Sequence, residues 1–172
     1  MVEKAIKGAK MYILMLFCLL IFLALFNTVR FRIKNGPSIK VARTREFPQI
    51  VKMLSKEQSD GSFVMFTVPN TIDTDGQPLT VQFSVERGSV GFDWLLTSLR
   101  AKKDRGKFVE FSKKEKVTVQ ELVMEDVKYL RVELENDALA EFGTKLLEKL
   151  YDVSSMNELE VFADASNWRK TT

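Results

Sequence analysis

Histidine is absent from this 172-residue chain, and cysteine occurs once. The first absence removes the commonest general base near neutral pH and the commonest metal ligand. The second leaves no disulfide and no thiolate metal site, because the one thiol, Cys18, lies in the middle of an apolar run. Glycine is scarce where phosphate chemistry needs it: Gly88 and Gly91 make no phosphate-cradling loop, and no Walker-type or GxGxxG motif occurs. A hydrolase would depend on serine with lysine or on a carboxylate pair, and Ser89 in RGSVG lacks the glycine spacing of a nucleophile elbow. No catalytic, cofactor-binding or metal-binding residue is expected, and the chain reads as non-enzymatic.

What the chain does have is a long apolar run. No charge interrupts the nineteen residues from Met11 to Val29, which Lys10 and Arg30 bound. At about 1.5 Å per residue the run spans roughly 28 Å, close to the hydrocarbon thickness of a bilayer. A soluble core helix would keep a polar stripe, and this segment is apolar all the way round. The spacing therefore predicts a transmembrane helix at 11–29 behind a basic tail, 1–10. A cleaved signal peptide is the competing reading, since Lys4, Lys7 and Lys10 precede the apolar region. Its small-residue cleavage site is missing, because Ala24, Leu25, Phe26 and Asn27 are mostly bulky. A lipoprotein route is closed by Phe17 ahead of Cys18. The expected result is a single-pass protein whose segment stays attached as a signal anchor.

Charge divides the chain in two. Residues 1–45 carry nine basic residues and one acidic, net +8, and residues 46–172 carry seventeen basic and twenty-two acidic, net −5. The stem at 30–45 holds Arg30, Arg32, Lys34, Lys40, Arg43 and Arg45, which are candidates for contact with anionic lipid head groups. Counting these cations favours a cytoplasmic downstream side, whereas the short basic tail ahead of the span argues the other way; the lean is to the cytoplasm. A second basic run, 100–116, has eight cations against Asp104, Glu110 and Glu115. It suits anionic lipid or an acidic partner, and the bland alternative is a solvated helix face.

Residues 46–172 are expected to form a single domain. Phe47, Ile50, Val51 and Leu54 recur at helical spacing with Pro48 in the first turn, which predicts a short helix at 46–58. Phe63–Val68 is a compact apolar strand run. Leu79, Val81, Phe83 and Val85 alternate with polar residues, and after Gly88 and Ser89 a returning strand carries Phe92, Trp94 and Leu96. A helix at 102–115 follows, then a hairpin of 117–124 and 127–134 around Glu125 and Asp126. A helix capped by Asn136 or Asp137 and a last strand at 159–163 close the pattern. From Gly91 onward this order is strand, helix, strand, strand, helix, strand. The fold class expected is α+β: an N-terminal transmembrane helix, then a ferredoxin-like βαββαβ sheet domain with an extra N-terminal helix and strands. Both long helices should lie on one face of the sheet, with the opposite face open unless the N-terminal elements or a partner cover it.

Three local features invite a function and meet a plainer reading. Asp73, Asp75 and Gly76 in IDTDGQP resemble part of a calcium loop, but the twelve-residue ligand spacing and closing glutamate are missing, so a polar turn is expected. The strand VKYLRVELE sets Tyr129 and Arg131 on one face without the glycine-and-aromatic pattern of RNA-binding sheets, and the acidic head argues against nucleic acid. In GFDW, outward-facing Phe92 and Trp94 would make an aromatic anchor for a partner, while strand alternation would pack them in the core. The candidate partner contacts are thus Phe92, Trp94, Tyr129 and Arg131. The expected function is a membrane-anchored, non-catalytic protein-binding or assembly module, with the lipid bilayer and a protein partner or a second copy as its contacts. The alternative is a membrane-tethered sensor or regulatory domain that binds a small ligand between helices and sheet.

Overall fold

Seven strands and three α-helices form among the described residues, in a computed structural model that describes 40–164 apart from 58 and 125. The expected span at 11–29, with Arg30, Arg32 and Lys34, lies outside these residues. Among the described residues no helix is long and apolar enough to cross a membrane. In chain order the strands are β1 (Lys40–Arg43), β2 (Phe63–Thr67), β3 (Thr80–Glu86), β4 (Ser89–Leu95), β5 (Gln120–Met124), β6 (Val127–Glu133) and β7 (Glu158–Asp164). The helices are α1 (Phe47–Glu57), α2 (Leu99–Lys114) and α3 (Asn136–Tyr151). One sheet in the order β1-β7-β2-β3-β4-β6-β5 contains every strand, and each neighbouring pair is antiparallel.

Period-two alternation decides what faces the helices. Val64 and Phe66 of β2, Val81 and Phe83 of β3, Phe92 and Trp94 of β4, and Leu130 and Val132 of β6 are all buried on one side. The helices fill that side with rings. Phe47 of α1 sits 4.8 Å from Phe66 and 5.1 Å from Phe83, centroid to centroid, and Phe142 of α3 sits 5.7 Å from Phe92. Phe108 of α2 lies 5.0 Å from Trp94, whose indole N–H donates to the Ala101 carbonyl at 3.2 Å. The result is one continuous aromatic layer, much of it in the tilted and edge-on arrangements that ring quadrupoles favour. Gly143 lets α3 come close, since a Cβ there would meet the Phe83 and Phe92 rings at 3.1–3.2 Å.

Local chemistry places the element ends. Ser98 caps α2 by accepting from Ala101 N at 3.1 Å, so the helix starts three residues ahead of the expected 102. The α3 N-cap is Glu135 instead of Asn136 or Asp137, with Leu139 N donating to the Glu135 carbonyl at 2.8 Å. Asp152, in the left-handed region at φ 54°, ends α3. Arg87 and Gly88, both at positive φ, form the two-residue turn that joins β3 to β4.

Two expectations need correction. Residues 40–45 were expected in the stem, but Lys40–Arg43 form β1 on β7, and Thr44–Glu46 make a 3-10 turn leading into α1. The pairing is tertiary: Arg43 reaches Glu158 at 2.8 Å, 115 residues away, and no local signal announces it. The sheet also departs from the four-stranded ferredoxin-like order. β4, β6 and β5 keep the split βαβ arrangement around α2, but β7 does not pair with β4. The tight β3–β4 turn seats β3 on that edge of β4, and β2 pairs with β3, so β7 finds its partners in β2 and β1.

Candidate functional site

The segment GFDW divides between the two faces of the sheet. Phe92 and Trp94 point into the helix-covered core and are fully buried, so core packing is their role and neither presents an anchor to a partner. Gly91 and Asp93 point to the second face, against which no helix packs among the described residues. There Asp93 lies at the centre of a polar network built on Arg131 from β6, its register partner.

Arg131 uses all five of its donor hydrogens. Its Nη1 donates to Asp93 Oδ1 at 2.8 Å and to Ser84 Oγ at 2.9 Å, and its Nε donates to Glu133 Oε1 at 2.8 Å. Its Nη2 reaches the carbonyls of Ser89 at 3.1 Å and Ser84 at 3.4 Å. The second Asp93 oxygen accepts from Ser84 Oγ at 2.5 Å and from Gln82 Nε2 at 3.0 Å. Tyr129 OH donates to Glu86 Oε1 at 2.7 Å, which also stands 3.7 Å from Arg131 Nη1. Arg131 is 1% exposed and Asp93 0%, so the pair is out of water. The guanidinium lies flat against Gly91, where an added Cβ would come within 2.3 Å of its Cζ. Gly91 is thus a strand glycine kept small by a neighbouring side chain.

Electrostatics follow from this crowding. Burial pushes the Asp93 carboxyl up, against the pull of Arg131 and the hydrogen bonds from Ser84 and Gln82. Burial alone would lower the Arg131 pKa, but Asp93, Glu133 and Glu86 outweigh it and keep the guanidinium charged. The Tyr129 hydroxyl is pushed well up by burial and by its bond to Glu86. With every N–H occupied, Arg131 has none left for an incoming anion, so it is a structural strut and not a ligand clamp. Tyr129 and Arg131, offered by the sequence as partner contacts, are both buried.

What is exposed at this end is the β5–β6 hairpin. Val123 is 62% exposed, and Met124 and Val127 also face solvent. A cleft of about 470 Å³ opens between this hairpin and the β3–β4 turn, lined by Glu86, Ser89, Gln120, Leu122, Tyr129 and Glu133 among others.

The two charged features fare differently. Arg43, in β1, is tied to Glu158, and Arg45 is exposed near Met156. On α2 the cations, exposed apart from the half-buried Arg100, surround one buried carboxylate, Asp104, which binds Arg100 at 2.5 Å, Lys107 at 2.8 Å and Tyr151 OH at 2.9 Å. Burial would raise the Asp104 pKa, but the bonds from Lys107, Arg100 and Tyr151 outweigh it and hold the carboxyl below its ordinary value. A lowered carboxyl stabilises the fold above its unfolded pKa and loses that contribution as pH falls through the folded one. Urea midpoints of the wild-type protein are therefore expected to drop from about pH 4 downward, and Asp104→Asn should flatten that acid branch. An unchanged slope in the variant would remove Asp104 from the account.

The IDTDGQP turn is a docking loop. Asp75 Oδ2 accepts from Leu99 N at 2.6 Å, at the start of α2, and Asp73 pairs with Lys103 Nζ at 2.7 Å. Both carboxyls are held low by these bonds, and among the described residues no group of acidic residues is arranged to hold a metal ion. Comparison with protein-family models, with curated proteins and with solved structures gives no match to this chain.

Proposed function

We propose that the chain is a single-pass, membrane-anchored, non-catalytic module that binds another protein or assembles with it. The observation that carries the reading is the one-sided sheet: among the described residues all three helices pack on one face, and the sheet ends in a hairpin that exposes Met124 and Val127 on the other face and Val123 on the helix side. Exposed apolar side chains on an unpaired strand edge are what a solitary domain suppresses and a binding domain keeps. The apolar run 11–29 supplies the tether and the basic residues 30–34 contact lipid head groups, with the domain on the cytoplasmic side.

A photo-crosslinking residue placed at Val123, in the full chain in its native membrane, is expected to give a discrete adduct of higher mass. Absence of an adduct there and at exposed positions of the second face, with the chain monomeric, would overturn the reading. Reporter fusions to the C-terminus test the orientation, the inside-active one being expected to work. A second reading, a tethered domain that senses a small ligand, draws on the cleft beside Glu86 and Glu133. The space between helices and sheet, the other place for a ligand, is filled by the aromatic layer. A metabolite that raised the melting temperature of the chain would favour that reading.

A further inference from the structure

β5 is the last strand of the sheet, so the outward backbone groups of Gln120–Met124 have no strand partner among the described residues. Natural sheets guard such edges with lysine, proline or a bulge. Neither lysine nor proline occurs in QELVM, and its pairing with β6 runs without a break from Gln120↔Arg131 to Met124↔Val127. Its one charge, Glu121, is held against Arg105, and among the described residues the edge is open to another strand.

The α2 side of that edge is cationic, and Glu121 of β5 is the carboxylate that meets it. Arg105 Nη2 meets Glu121 Oε2 at 2.6 Å, which sets one stripe of α2 alongside β5. At 100° per residue the same stripe contains Lys102, Val109 and Lys113, all exposed, with no carboxylate among them. Glu121 answers Arg105, while Lys102 and Lys113 make no ion pair among the described residues. A strand laid on β5 would set alternate side chains beside this stripe and the others beside Leu122 and Met124 on the second face.

We propose that β5 receives, by strand addition, an extended segment of a partner protein in which acidic residues alternate with apolar ones. The acidic set faces Lys102 and Lys113, beside the Arg105–Glu121 pair, and the apolar set faces Leu122 and Met124. This deepens the binding-module reading and rests on it. A second copy is a poorer occupant, because symmetric pairing through β5 would bring two cationic α2 stripes together. A lipid surface would neutralise the stripe but leave the row of backbone donors and acceptors unmatched.

The test uses the full chain in zwitterionic nanodiscs and a fluorescent, end-capped peptide of alternating glutamate and valine. Saturable binding is expected, weakened about tenfold or more by K102E/K113E, with the fold of the variant checked by circular dichroism. Methylating alternate peptide nitrogens should abolish it, since strand addition depends on main-chain hydrogen bonds. Equal binding of a lysine–valine peptide, indifference to methylation, or no binding would each overturn the proposal. So would a Val123→Cys disulfide between copies of the chain, or anionic nanodiscs that block the peptide by occupying the stripe. If crosslinking finds a partner elsewhere on the second face while the peptide fails, strand addition falls and the binding module stands.

Discussion

Replacing Arg131 with methionine is expected to cost the domain about 3–5 kcal/mol, the penalty of leaving a buried charge without its partner. Methionine fills much of the space but satisfies none of the five acceptors that Arg131 now serves. Asp93 would keep Ser84 and Gln82 and lose its counter-charge, and Glu133 would lose its only ion-pair partner among the described residues. The remedy open to Asp93 is to take up a proton, so its folded pKa, already raised by burial, should rise further. A raised carboxyl carries no penalty below the unfolded value of about 3.9 and a growing one as pH climbs toward the folded value. The variant should therefore unfold at higher urea concentration at pH 5 than at pH 8. Replacing both residues, as Asp93→Leu with Arg131→Met, should restore much of the loss, because an apolar pair leaves no orphaned charge. A loss under about 1 kcal/mol in the single variant would mean that the pair does not hold the second face together.

Trp94→Ala is expected to cost a similar amount, about 3–5 kcal/mol, for a different reason. Its ring is fully buried between Phe108, 5.0 Å away, and Tyr151, 5.9 Å away, and removal leaves a cavity that three packed elements cannot close. The hydrogen bond to the Ala101 carbonyl goes with it. Equilibrium urea unfolding followed by circular dichroism measures both variants. The contrast lies in pH: the Trp94→Ala loss should be the same at pH 5 and pH 8, since no charge is stranded. If Trp94→Ala were neutral for stability but abolished crosslinking at Val123, the assignment of this side chain to the core would be wrong.

These two positions also show how far the chain could be read without coordinates. The alternation around Phe92 and Trp94 assigns them to one face, and the core face is where they lie. The same alternation assigns Arg131 to the other face, where a charged residue ordinarily meets water. Its burial follows from Asp93, 38 residues earlier on β4, its register partner. Gly91 was visible as a glycine inside a strand, but the reason for it is the guanidinium lying against it. Helices were legible because their spacing is local: Phe47, Ile50, Val51 and Leu54 mark α1 without help from the rest of the chain. β1 was not, since KVAR has too few apolar residues to signal a strand and owes its conformation to β7. Strand order was legible in part: β4, β6 and β5 keep the split βαβ arrangement, whereas the places of β1, β2 and β7 depend on long-range pairing.

The position of β7 has a consequence for synthesis. It is the last described strand to be made, yet it lies inside the sheet, between β1 and β2. Until it leaves the ribosome, β1 has nothing to pair with and one backbone edge of β2, Phe63–Thr67, is bare. Contacts of such long sequence separation form late and slowly, and they expose the nascent chain to mispairing while it waits. Under the proposed membrane tether, residues 11–29 would be made long before β7 could complete the sheet. The interval between those two events is when this chain depends most on being shielded from its neighbours.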